Sequence, residues 1–412
     1  MKLSEELKER GFIHQFSGES LENILDGEKR TFYLGADPTA DSLTIGNLAV
    51  YMLVRHIADA GHTPILLFGG GTGLLGDPKE ASERELSDSE EVARRADKIR
   101  KQVESFIGTE VTTVNNADWL TKLNLIDFMR GIGKHFTINQ MIKKEIVARR
   151  LKDESPISYT EFAYAPLQGY DFMHLYKEYN CTLQIGGSDQ WGNIISGVEL
   201  TRKKEGAEVF AIAVPLITDS SGVKFGKSEG NAIWLDATMT SPYSFYQFWL
   251  NVTDEDVVER LKIFTLLTLD EIVHAMSEHS KDKSARGAQR LLAVEVTAFV
   301  HGKKAAIAAA AVSDVLFGGK GIDELGDAEI EMLKTEAPTS TVRDGVALVD
   351  VLVESELVAS KTEARTMVGG GAVSISGVKI LDTDFNITSG DFVDGIAILR
   401  KGKKQLVVLI LA

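Results

Sequence analysis

Five short apolar runs in the first 218 residues constrain this chain more than anything else in it. They are RTFYLGA (30–36), TPILLFGGGTG (63–73), EVTTVNNADW (110–119), CTLQIGGSDQ (181–190) and VFAIAVPLIT (209–218), and four of them close in a Gly, Asn or Asp loop. Between them, 46–60 and 89–107 carry apolar residues at helical spacing. Buried strands alternating with helices predict an α/β fold, a parallel sheet with helices on both faces. Ligands of such sheets lie beyond the carboxyl ends of the strands, so those loops are the first places to look for a site.

With 412 residues the chain has length for two or three domains. Its 44% apolar and 25% charged content suits a folded core with a polar surface. No run approaches the ~18 apolar residues of a membrane span, and the start MKLSEELKERGFIHQF is charged and amphipathic, unlike a secretory signal. Cys181 is the single cysteine, which excludes an internal disulfide and a thiolate metal site. These features predict a cytoplasmic protein without membrane contact or bound metal. The net charge of −15 argues against a general nucleic-acid binder, although a local basic patch remains compatible with it.

Beyond residue 240 the pattern turns helical and Ala-rich, as in KKAAIAAAAV (303–312). Residues 326–341 fall in a mixed acidic stretch with Gly, Pro and Thr that suits a linker. From 342 onward two helices and short strands are predicted, with Arg365, Lys379, Arg400, Lys401, Lys403 and Lys404 making this end locally basic. A basic face on a small α+β module suits contact with a nucleic-acid backbone, or is simply a solvated surface.

Three loops carry candidate chemistry. GGGTGLLGD (69–77) contains G-x-G-x-x-G after a strand, but Asp77-Pro78 and a highly charged stretch follow where a dinucleotide fold needs a second strand. DSSGVKFGKSEG (219–230) sets Lys224 and Lys227 beside glycines just past a buried run, a loop able to cover a polyphosphate. In TEFAYAPLQGYDF (160–172), Tyr164, Gln168 and Asp171 fall at i, i+4 and i+7, one face of a helix leading to Asp189 and Gln190. Each alone could be packing or surface; together they read as a polar pocket lining. LGADPTADSLTIGNL (34–48) is a phosphate-type turn without Lys, Arg or His, so its backbone amides would need cations from elsewhere.

YLGADPTADSLTIGN (33–47), GGGTGLLGDP (69–78), YAPLQGYDF (164–172), LQIGGSDQWGN (183–193) and KFGKS (224–228), in this order, resemble bacterial tyrosyl-tRNA synthetases, class I aminoacyl-tRNA synthetases. SKTEARTMVGGGAVSISG (360–377) extends the resemblance to an S4-like end. The resemblance implies a Rossmann-like catalytic domain over 1–235 with a dimer-forming insertion at about 115–165, a helical anticodon-arm domain over 236–325, the linker 326–341, and an S4-like RNA-binding domain over 342–412. It implies activation of L-tyrosine by ATP, accompanied by Mg²⁺, to tyrosyl-adenylate, transfer to tRNA(Tyr), and a homodimer with Tyr159 at its interface.

Residue by residue, Tyr33 and Asp171 resemble the pair that grips the substrate hydroxyl, which donates and accepts at once. This family is itself the standing example of a phenol site that rejects phenylalanine, by about 10⁵-fold without editing. Asp77, Tyr164 and Gln168 resemble the α-ammonium site, with Gln190 near the reacting carboxylate. Gly35, Gly187 and Asp189 would approach the adenylate; Asp37, Thr39, Thr44, Gly46 and Asn47 belong to the nucleotide turn. Lys224, Lys227 and Ser228 would close over the pyrophosphate, with Lys79 and Arg84 as secondary candidates, and Lys361, Arg365 and Lys401 would meet tRNA. Two departures stand out. Where the family has H-I-G-H this chain has Thr44-Ile45-Gly46-Asn47, and Leu34 offers the ribose no side-chain hydrogen bond. The missing histidines keep open a non-catalytic RNA-binding paralogue. A tryptophan enzyme shares the fold but would bury the Asp171 charge needlessly beside an indole.

Overall fold

A computed structural model describes residues 1–36, 38, 40–75, 89–108, 111–218, 227–228, 231–318, 320–402 and 405–412, with backbone alone at 89, 145, 227, 228 and 231. These residues form two compact units, Met1–Thr240 with Val252–Ala288, and Ser241–Asn251 with Gln289–Ala412.

The first unit is built on a six-stranded sheet of β1 (Gln15–Phe16), β2 (Thr31–Ala36), β3 (Thr63–Phe68), β4 (Thr112–Asn115), β5 (Cys181–Gly187) and β6 (Phe210–Val214), in the spatial order β1-β6-β5-β2-β3-β4. All five predicted strands are present and pair in parallel; only β1 joins antiparallel, on β6. β6 is buried at every position, as a strand covered on both faces requires. Strand order reverses between β2 and β5, so a crevice opens at their carboxyl ends. Tyr33 of β2 lies in register with Gln184 of β5, so both side chains emerge on one face.

Helices Ile45–Asp59 and Tyr164–Tyr179 deliver side chains to that crevice. The second ends in Asn180 at φ 52°, a left-handed stop that turns the chain into β5. It runs close beside helix Trp191–Glu205: a Cβ on Gly197 would fall 2.8 Å from the Cβ of Phe172, and only glycine permits that approach. Between β4 and this pair, residues 117–162 form short helices pinned by a buried Arg150–Glu161 ion pair of 2.6 Å, with Arg150 donating also to the Pro156 carbonyl.

Residues 252–288, helical as predicted, are anchored in the first unit. The buried Arg10 guanidinium donates to the carbonyls of Lys262 (3.0 Å) and Leu267 (2.7 Å), and Arg260 donates to that of Thr218. The predicted helical stretch 236–325 is thereby divided between the two units. In the second unit, the stretch 326–341 expected as a linker holds a helix, Asp327–Glu336, and a strand, Thr339–Val342. Its acidic residues favour the helix start, and Pro338 lies just beyond the helix end. After helices Leu348–Glu354 and Lys361–Gly369 comes a five-stranded sheet ordered Val378–Ile380, Val373–Ile375, Ile396–Lys401, Gln405–Leu411, Thr339–Val342. No helix among the described residues is long and apolar enough to cross a membrane.

Candidate active site

A cavity of about 340 Å³ occupies the crevice beyond the strand ends. Of the residues singled out from sequence, Tyr33, Gly35, Thr44, Gly46, Asn47, Tyr164, Gln168, Asp171, Gly187, Asp189 and Gln190 line it. Asp37, Thr39, Asp77, Lys79, Arg84 and Lys224 lie outside the described residues, and Lys227 and Ser228 are described in backbone alone.

The floor of the cavity is a buried carboxylate. Asp171 is 1% exposed, and each of its oxygens accepts a hydrogen bond: Oδ1 from the Trp119 indole at 2.7 Å, Oδ2 from the Asn116 amide at 2.9 Å. Asn116 is oriented in turn. Its carbonyl oxygen accepts from the Gly71 backbone N–H (2.7 Å), and its amide nitrogen donates also to the Thr72 hydroxyl (2.9 Å). This explains the glycine run after β3. A Cβ on Gly70 would press into the Asn115 side chain and one on Gly71 would crowd Leu120 and Asn116, so the run lets the chain pass close beside this network. A buried ion needs such donors, since an unsatisfied one costs far more than a surface charge.

Asn116, Trp119, Thr72 and Gln184 were not singled out from sequence, although all but Trp119 line the cavity. The spacing Asn116-x-x-Trp119 in one helical turn directly after a strand is the signal that could have found the first two.

Beside Asp171, the Tyr33 ring meets Phe172 edge-on at 5.2 Å, and its hydroxyl is buried with no hydrogen-bond partner among the described residues. Burial, and then the Asp171 charge, push its phenol well above its ordinary range, so Tyr33 stays a neutral donor. Gln184, 2% exposed, likewise has an amide oxygen with no hydrogen-bond partner among the described residues. Two orphaned polar atoms and a carboxylate at one closed end of a cavity are the mark of a site built for a polar ligand group. Cys181 behind them is packing: burial pushes its thiol up to about 12.

At the other end Thr44 and Asn47 bond to each other. The Thr44 backbone N–H and hydroxyl both donate to Asn47 Oδ1, each at 3.0 Å, which leaves the Asn47 N–H₂ as the donor face of the side chain. A Cβ built on Gly35 would meet nothing within 4 Å among the described residues, and Gly35 lines the cavity. Lys227–Ser228 pairs antiparallel with Asn231–Ala232. The chain then runs alongside the turn at Leu43–Ile45: Ile45 N–H donates to the Ile233 carbonyl (3.1 Å) and Leu235 N–H to that of Leu43 (2.8 Å). In the second unit, Lys361 pairs with Asp350 at 2.6 Å and Arg365 is exposed. Lys401 is turned inward, donating to the Leu357 carbonyl and lying 3.7 Å from Glu363.

Residues 25–318 match the family model of class I tRNA synthetases for tryptophan and tyrosine, and 329–409 match the tyrosine–tRNA ligase SYY-like C-terminal domain. Tyrosine–tRNA ligase 2 of Enterococcus faecalis is 46% identical over 98% of both chains, and tyrosine–tRNA ligase of Lactococcus lactis 45% over 99% of this chain and 100% of its own. The C-terminally truncated mitochondrial tyrosyl-tRNA synthetase of Aspergillus nidulans superposes with a TM-score of 0.71 at 30% identity, covering 77% of this chain and 94% of that one. The chain belongs to the class I tRNA synthetases of the tryptophan and tyrosine group. Its C-terminal residues are of the type found in tyrosine–tRNA ligases.

Proposed function

We infer that this chain is a tyrosine–tRNA ligase: it activates L-tyrosine with ATP and transfers the tyrosyl group to tRNA(Tyr). The observation that carries this is the buried Asp171 carboxylate, oriented by Asn116 and Trp119 beside the unpartnered Tyr33 hydroxyl. A substrate phenol donates to Asp171 and accepts from Tyr33, so both buried groups are satisfied by one hydroxyl. Phenylalanine would leave them unpaired.

Tyr164 and Gln168, a turn or two up the same helix, suit the α-ammonium, and Gln190 suits the carboxylate. In the first step a carboxylate oxygen attacks the α-phosphorus and the bond to pyrophosphate breaks; the protein positions the partners and neutralises charge. ATP arrives with Mg²⁺ as substrate. Gly35 lets the nucleotide approach the backbone, and Asn47 offers an N–H to it. Lys227 is the cation for the leaving pyrophosphate, a role supported by the backbone pairing that brings residues 233–235 beside the turn at Leu43–Ile45. The second unit is the tRNA-binding part, with Lys361 and Arg365 on its surface; the inward position of Lys401 suits holding Leu357 and Glu363 better than meeting phosphate. The active form is a homodimer, a reading supported by the exposed apolar residues Leu125, Ile126, Ile138 and Tyr159 in the 115–165 region.

ATP–pyrophosphate exchange, with tyrosine, phenylalanine and tryptophan offered separately, tests the reading. Exchange with tyrosine alone is expected, and Asp171→Asn is expected to lower its kcat/KM by about 10- to 150-fold, one hydrogen bond to a charge. A folded protein that binds tRNA but exchanges with none of the three would be the non-catalytic paralogue instead.

A further inference from the structure

One turn beyond Asp171 on helix Tyr164–Tyr179 stands His174, a half-buried side chain that the tyrosine site does not use directly. Its imidazole lies flat on the Trp119 indole, with ring centroids 4.2 Å apart and planes inclined by 26°. Tyr170, one turn back, stacks on the same imidazole at 6.2 Å and 30°. Burial pushes the imidazole below its ordinary value, against the pull of Glu178 and with a smaller contribution from Lys177, so it stacks as a neutral ring.

Trp119 belongs to a helix of four residues, Ala117–Leu120, none of them fully buried. Its N–H donates one of the hydrogen bonds that orient the Asp171 carboxylate; Asn116 donates another, and its own carbonyl oxygen is held by the Gly71 backbone N–H. The indole packs against the buried cluster that includes Tyr33, Phe172 and Leu175, and the stacked imidazole adds support to its ring face, helping to keep its N–H aimed.

We propose that His174 is a positioning residue for the substrate hydroxyl. By stacking on Trp119 it holds the indole N–H on Asp171, and so sets how sharply that carboxylate separates a phenol from an unsubstituted ring. The proposal rests on tyrosine binding with its hydroxyl at Asp171.

Pyrophosphate exchange by the full-length wild type, His174→Ala and His174→Phe, with tyrosine and with phenylalanine, tests it. His174→Ala lowers the tyrosine-to-phenylalanine ratio of kcat/KM by about 2- to 12-fold, the equivalent of one aromatic pair. The loss falls on KM for tyrosine, with KM for ATP unchanged, and His174→Phe restores the ratio because it keeps the stack. An alanine variant with the wild-type ratio, or a phenylalanine variant no better than alanine, overturns the proposal. If His174→Ala does not fold, Trp119→Phe, which keeps a stacked ring and loses the N–H, must lower the ratio likewise; an unchanged ratio overturns it equally. A wild type that exchanges with phenylalanine as readily as with tyrosine refutes the placement of the phenol at Asp171, before any variant is compared.

Discussion

At Thr44 and Asn47 two side chains that line the end of the cavity proposed for the nucleotide spend part of their hydrogen-bonding capacity on each other. Neither carries charge, so in the proposed reaction the developing charge on the phosphates would meet dipoles there and depend on cations from elsewhere. Thr44→His is therefore expected to raise the pyrophosphate-exchange rate, by about 10-fold or more if the new donor makes one hydrogen bond to a charged oxygen. A rate that stays level or falls would show that another group already fills the position. The residues of this site differ in how legible they were. Tyr164, Gln168 and Asp171 could be read from a helical stripe, because helix periodicity is local. Asn116 and Trp119 were harder: their spacing in one turn after a strand is a faint local signal, and their meaning comes from β4 ending beside β3, a contact between segments 40 or more positions apart. Gln184 was hidden for a similar reason: inside a strand, only the register with Tyr33 reveals which face it takes.

Among the elements, the five parallel strands of the first sheet were the easiest to read, since continuous apolar runs closed by Gly or Asn have few other uses; the two-residue β1 was not predicted. The helix Asp327–Glu336 was the hardest; its acidic, Pro-flanked sequence has the composition of a linker, and burial of Ile330 and Leu333 decides the outcome. Helix Leu125–Gly131 has the opposite character: it is apolar yet has no buried residue, with Leu125 67% and Ile126 62% exposed. Such a face asks for a partner, and in the proposed homodimer it meets the second copy. Ile126→Asp is expected to shift the particle from twice 45.0 kDa to 45.0 kDa by light scattering at micromolar concentration. A wild type already at the lower mass would remove the dimer from the account.

For the whole molecule, the division into two units separates amino-acid activation from the proposed hold on tRNA. The cavity belongs entirely to the first unit. Deletion from Thr339 onward is expected to leave pyrophosphate exchange within about twofold and to abolish tRNA charging; equal loss of both would make the C-terminal sheet a folding element of the enzyme. The cut belongs there because Thr339–Val342 pairs with Gln405–Leu411 and would otherwise be left without its neighbour. That pairing also bears on how the chain is made. Gln405–Leu411 is an inner strand, flanked by Ile396–Lys401 on one side and Thr339–Val342 on the other. The catalytic sheet can close once Val214 has left the ribosome, whereas the second sheet must wait for the inner strand Gln405–Leu411, far behind. Translation halted short of Gln405 would release a chain with two open, unpaired strand edges, the form in which sheets recruit other chains and aggregate.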